Sequence, residues 1–237
     1  MSNKKYKLNL IGRDPEDNRD FQYHDILASS PLAEGISLPE SWSWFETNAV
    51  EENQGSHGSC AAQTGACIQA VHNYRETGEY TPFSVSFIYT QRANYSEGTE
   101  GMLVRDLMKI LHKSGGVFAS DKPNERMNTL NTKELEAKAE KYRIESYHKI
   151  RTIEECKNAI FRNGPALIAV PIYNWGPEMW KKDSGEEFEG GHAMTIIGWN
   201  DKGFIIRNSW GPKWNGDGTC VLKYDDWDLI WYAWTTV

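Results

Sequence analysis

Residues 53–67 read Asn53-Gln54-Gly55-Ser56-His57-Gly58-Ser59-Cys60-Ala61-Ala62-Gln63-Thr64-Gly65-Ala66-Cys67, a loop of small and polar residues that runs directly into a helical pattern. From Cys60 to Glu76 small and apolar side chains recur at 62, 66, 67, 70, 71 and 74, near the 3.6-residue period, and Gly78 supplies a stop. The spacing predicts a helix whose first residue is a cysteine. A thiol in that place meets the positive end of the helix dipole, which favours the thiolate and draws the pKa below its ordinary value of about 8.5. The glycines and serines ahead of it let the backbone approach a ligand closely, and the Gln54 amide with the Cys60 N–H can hold a developing oxyanion. The plain alternative is that Cys60 is a small core residue.

Outward from this stretch, Leu103, Leu107, Ile110 and Leu111 form one stripe of a helix over 103–114, and a more charged helix follows at about 132–143. Thr152-Ile153-Glu154-Glu155 has the form of a capping box and opens another, closed by Gly164-Pro165. Beyond it the period changes. Residues 166–173, 192–199, 203–210 and 219–224 are short and rich in β-branched and aromatic residues, with Asn200-Asp201-Lys202-Gly203 as a hairpin turn. Helices in the first half and strands in the second predict an α+β fold with a cleft between the two parts. His192, after Glu189-Gly190-Gly191, opens an alternating strand, and Asn208-Ser209-Trp210-Gly211 closes its hairpin partner. The turn therefore brings His192 and Asn208 side by side. A thiol nucleophile needs such an imidazole, and the imidazole needs an orienting hydrogen bond. Periodicity does not show that this hairpin faces Cys60.

Composition narrows the remaining classes. Among 237 residues, 39% hydrophobic, no apolar run reaches the length of a membrane span. The net charge of −7 and the lack of a Lys/Arg block argue against a nucleic-acid or anionic-membrane partner. Cys60, Cys67, Cys156 and Cys220 are too scattered for a disulfide framework or a zinc knuckle, so no metal and no cofactor are expected. The cysteine usage and the lack of a signal-peptide pattern predict a reducing, cytoplasmic location, with export by a signal-less route left open. The oligomeric state is left open too. Residues 1–38 are polar and turn-rich and read as an extended arm or short pro-segment. The tryptophans at 199, 210, 214, 227, 231 and 234 invite a carbohydrate reading, but tryptophan in strands is usually core packing.

Gln54 to Cys60, Gly190-Gly191-His192-Ala193 and Asn208-Ser209-Trp210-Gly211 resemble the three signature blocks of the papain-like cysteine peptidases, in the family's order. Gln54 lies six positions before Cys60 and Asn208 sixteen after His192, as in that family. The Gly-Gly-His-Ala form is similar to cathepsin B, and Ser86 to Tyr89, Arg92, Arg105-Asp106 and Gly115-Gly116-Val117 resemble short-tailed bacterial members. The resemblance implies a papain-like two-subdomain fold: a helical subdomain over 39–148 carrying the nucleophile, and an antiparallel, β-barrel-like one over 149–237 carrying His192 and Asn208. It implies a peptidase acting on protein or peptide through a thiolate–imidazolium pair, with Gln54 in the oxyanion hole and Trp210 shielding the His192–Asn208 bond. Gly101 would pair with an extended substrate backbone. Met102, Ala169 and Ala193 would line the pocket for the side chain two residues before the cut, with Glu100 at its rim. An acyltransferase on the same nucleophile and a catalytically silent peptide-binding module are the alternatives. His57 stands where many members have a disulfide cysteine, Ala61 where many have tryptophan, and Asn215 where glycine is usual. The arm either lies in the cleft or packs outside it through Leu8, Leu10, Ile11 and Phe21.

Overall fold

A computed structural model of the chain describes Leu8 and residues 12–29, 37–45, 53–95 and 99–237. The expected helices form: α2 (Cys60–Thr77), α4 (Val104–Lys113), α5 (Lys133–Ala139, prolonged by a 3-10 turn to Tyr142) and α6 (Ile153–Asn163). Helix α2 ends at Gly78, whose φ of 75° is open to glycine at little cost and lets its N–H bond the Tyr74 carbonyl. Every residue from Cys60 to Val71 is buried, not just one face. The reason is position: α2 is packed by α3 (Val85–Tyr89), α4 and the strand over Gly190–Trp199. At Gly65 a Cβ would stand 2.5 Å from Leu107 Cδ1, so glycine sets the approach of α2 to α4.

One antiparallel sheet forms in the order β2-β7-β3-β4-β5-β6, with the short β1 (Trp42–Ser43) paired to β4. Its strands are β2 (Tyr147–Ile150), β3 (Ala166–Ile172), β4 (Gly190–Trp199), β5 (Gly203–Arg207), β6 (Thr219–Lys223) and β7 (Tyr232–Thr236). Strand β4 does not alternate as expected: both of its faces are buried. Leu167, Ala169 and Ala193 enter the core around α2, while Ile168, Val170 and Met194 enter a second core containing Cys156, Ala159 and Ile160 of α6. A sheet covered on both sides has no polar face to show in its sequence. Strand β5 stops at Arg207, one residue before Asn208, and two strands, β1 and β2, lie within residues 39–148, the stretch expected to form the helical subdomain, Ile150 of β2 running just past it. Among the described residues no helix is long and apolar enough to cross a membrane, and no group of three His, Cys, Asp or Glu could hold a metal ion.

The arm departs from the expectation of an extended segment. Tyr23–Ser29 is a helix, α1, and Tyr23 is buried against α6. Tertiary packing supplies what a seven-residue helix lacks by itself. Upstream of it the Asp14 carboxylate accepts the Arg105 N–H of α4 at 2.9 Å, while the Asp14 N–H reaches the Tyr232 hydroxyl of β7 at 3.3 Å. Arg105 also pairs with Asp20, and Asp20 with Lys149 of β2 at 2.8 Å. The arm thus ties the helical part to the sheet. Phe21 lies tilted against His148, ring centroids 5.7 Å apart, and stays exposed; Leu10 and Ile11 lie outside the described residues.

A feature with no sequence signal is Lys122, which is 1% exposed and has no carboxylate partner among the described residues. Its ammonium donates to the Thr129 carbonyl and Asn131 Oδ1, both at 2.6 Å, and to Thr90 Oγ1 at 3.1 Å, clamping the 118–131 loop onto α3. Lys122→Met strands these acceptors, so urea denaturation at pH 7 should show a loss of roughly 2–4 kcal/mol.

Candidate active site

Cys60 opens α2 after a turn in which the His57 N–H bonds the Gln54 carbonyl at 3.0 Å and Gly55 takes a φ of 53°. The thiol is 1% exposed. Burial pushes its pKa up to about 11, against the N–H groups of Ala193, Ala61 and Cys60 itself, which favour the thiolate. The lowering expected from the helix terminus is therefore overturned in this state, because desolvation of the sulfur outweighs the dipole. The Ala193 N–H on the sulfur is the link that periodicity could not provide: it brings the His192 end of β4 onto the start of α2.

His192 is fully buried, and its Nε2 stands 2.7 Å from Asn208 Oδ1. The same oxygen accepts the Ser209 N–H at 2.8 Å, which orients the amide and makes Nε2 the protonated ring nitrogen. Nδ1 then carries the lone pair, and it has no hydrogen-bond partner among the described residues. Burial presses the His192 pKa down to about 4, countered by the bond to Asn208. Trp210 stacks on the imidazole at 4.8 Å and 26°, backed by Trp175 and Trp214. That aromatic wall covers the His192–Asn208 bond.

Gln54 is held at both ends. Its N–H bonds the Ser209 carbonyl at 2.8 Å, its Oε1 accepts the Ser209 hydroxyl at 2.7 Å, and its Nε2 donates to the His57 carbonyl at 3.0 Å. Ser209 therefore serves both Asn208 and Gln54. It lies inside a motif read for its neighbours, and only the fold shows its reach across the chain.

The remaining expected residues are placed as follows. Ala169 and Ala193 are direct cross-strand partners, and Met102 joins them in one cluster. Tyr232 is the next partner of Ala169 and packs against the same cluster. Gly101, at φ 98°, already gives its N–H to the Tyr89 hydroxyl at 3.0 Å, so that donor is committed within the protein. The Glu100 carboxylate accepts the Gly58 N–H at 3.1 Å and braces the loop before Cys60. Cys67, Cys156 and Cys220 are buried thiols, none in a disulfide, and His57 sits on the turn that follows Gln54.

A buried thiol at a helix start, joined through the Ala193 N–H to the strand that carries an amide-held imidazole of fixed tautomer, is the set of groups that thiol-dependent acyl transfer uses. The model of the papain family of cysteine proteases matches residues 38–227, and the chain belongs to that family. It is 28% identical over 231 residues to cysteine protease XCP2 of Arabidopsis thaliana, covering 92% of this chain and 62% of the relative. Against the first curated relatives it spans 44% to 62% of their length. Among solved structures it is similar to xylellain, a cysteine protease from Xylella fastidiosa, with a TM-score of 0.78, 22% identity and coverage of 100% and 98% of the two chains. It is also similar to procathepsin B S9 from Trypanosoma congolense, at a TM-score of 0.72 and 14% identity, covering 97% and 86%. At these identities the structural likeness shows the fold.

Proposed function

We propose that the chain hydrolyses peptide bonds through Cys60, and that its arm restrains the site. The observation that carries the first part is the bond from His192 Nε2 to Asn208 Oδ1, which leaves Nδ1 as the proton acceptor of the ring. Nδ1 takes the thiol proton as the sulfur attacks the scissile carbonyl, and the Cys60 N–H and the Gln54 amide receive the oxyanion. The imidazolium then gives its proton to the departing amine, and water, deprotonated by the same Nδ1, releases the acyl group. If an amine substituted for that water, the site would transfer acyl groups instead. A peptidyl epoxide followed by mass mapping tests the reading: modification at Cys60 alone is expected, and a protein left unmodified would overturn it.

Gln54→Ala should lower kcat by roughly 10²- to 10³-fold with little change in KM, because its amide acts on charge that exists only in the transition state. An unchanged kcat removes Gln54 from the oxyanion site. Met102, Ala169 and Ala193 would offer an apolar lining to a substrate side chain, so bulky apolar residues should win a substrate-library screen at the position two before the cut. Selection of Asp or Glu there would contradict that assignment.

Support for restraint comes from three contacts. Leu8 lies against Gly190, its Cβ 3.3 Å from where a Cβ on that glycine would be, two residues before His192. Asp14 spans the two parts of the molecule through Arg105 and Tyr232. Both reacting groups are sealed from water in this arrangement.

A further inference from the structure

A cavity of about 380 Å³ lies behind the loop that carries Gln54, lined by that loop, by α2 and by the segment leading into α3. Neither Cys60, His192 nor Asn208 contributes to its wall, so it is separate from the reacting groups. Its volume falls in the range of small-molecule sites. One side is apolar, with the rings of Tyr80 and Phe83 and the thioether of Met127. The floor is polar in an unusual way. Gln63 on α2 is 4% exposed as a residue and lines the cavity, and its side-chain amide is left to face that space, with no hydrogen bond to a described residue. At the rim Glu125 is exposed and forms no ion pair among the described residues, and no described wall residue is Lys or Arg.

We propose that this cavity binds a planar aromatic cation, an aryl amidine or aralkylamine, with its ring between Tyr80, Phe83 and Met127 and its N–H groups shared by Gln63 and Glu125. The charge of the wall selects the sign of the ligand, since Glu125 is its acidic residue and no described wall residue is Lys or Arg. The unpartnered Gln63 oxygen selects a donor, and the flat apolar wall selects a ring. Because Gln54 and His57 belong to the same wall, an occupant also bears on the turn that presents the Gln54 amide. That second consequence rests on the peptidase reading; binding itself does not.

Calorimetric titration of the whole protein with benzamidine tests the site, with benzoate as the charge-reversed control. Benzamidine should bind with a Kd of about 1 mM or tighter, as befits so small a ligand, and benzoate at least tenfold more weakly. Gln63→Leu and the exposed Glu125→Gln should each weaken benzamidine about fivefold or more, and Ala66→Phe, which fills the cavity, should abolish binding. Equal affinity for benzoate, or full affinity in both Gln63→Leu and Glu125→Gln, overturns the proposal, as does failure to bind at 10 mM. If benzamidine binds as described, its effect on kcat is read separately. A changed kcat at constant KM supports the coupling to the Gln54 turn, and an unchanged kcat overturns that coupling while the binding site stands.

Discussion

Cys60→Ala is expected to abolish peptide hydrolysis, lowering kcat by roughly 10⁴- to 10⁶-fold, while the fold is kept. The fold should survive because alanine keeps the Cβ, and the neighbours at 61 and 62 are already alanines in a fully packed helix. The loss is large because the sulfur makes and breaks the covalent bond, and because His192 and Asn208 have no other group to serve. Circular dichroism and a fluorogenic peptide assay measured together check this result. Retained hydrolysis in Cys60→Ala, with loss in Cys67→Ala, would move the nucleophile to the other cysteine of α2.

Removing residues 1–12, which leaves Asp14, Asp20 and α1 in place, should raise the rate of Cys60 alkylation by iodoacetamide at pH 7 about tenfold or more. In the closed arrangement the thiol is held up at about 11 and the imidazole down at about 4, both by burial, so at pH 7 both are neutral. Letting water back brings the thiol toward about 8.5, which multiplies the thiolate roughly 300-fold; lower intrinsic nucleophilicity returns part of that, leaving a net gain of about twentyfold. The sign with pH follows by linkage. Between about pH 4 and 6.5 the open form binds more protons at His192, so acid favours opening. Between about 8.5 and 11 the closed form holds the extra proton at Cys60, so alkali also favours opening. The sealed arrangement is most stable between those windows. Asp14, whose carboxyl is raised by burial, works in the reverse sense at the acid end. A shortened protein with a lower Tm and no gain in alkylation would show that the arm only packs along the outside.

The parts legible in the sequence were those whose signal is local. Cys60 at a helix start, the Thr152 cap and the hairpin joining β4 to β5 each depend on neighbours within a few residues. Long-range partners left no such trace. Strand β7 was unread because Tyr232–Thr236 is defined by pairing with β2 and β3, far away in the chain. Helix α1 escaped because its formation depends on Tyr23 entering a core built by α6. The raised thiol pKa was missed for the same reason: the dipole is a property of α2, whereas burial is supplied by the whole molecule. Gly101 and Glu100 were placed by resemblance, and both turn out to be committed to internal bonds with Tyr89 and Gly58.

The core around α2 has one more consequence. Leu167 and Ala169 of β3, Ala193 of β4 and Trp234 of β7 pack in the same cluster as Phe87, Leu107 and Leu111 from the helices. The two walls of the cleft therefore share an interior and are not rigid halves joined at a hinge. Parting them would open apolar surface and leave voids in close-packed material, at the cost of a sub-global unfolding event. Catalytic spacing is in this sense a packing constant, fixed by the same side chains that hold the protein together. On the proposal that the arm restrains the site, access to Cys60 then depends on that segment coming away and not on the two walls parting.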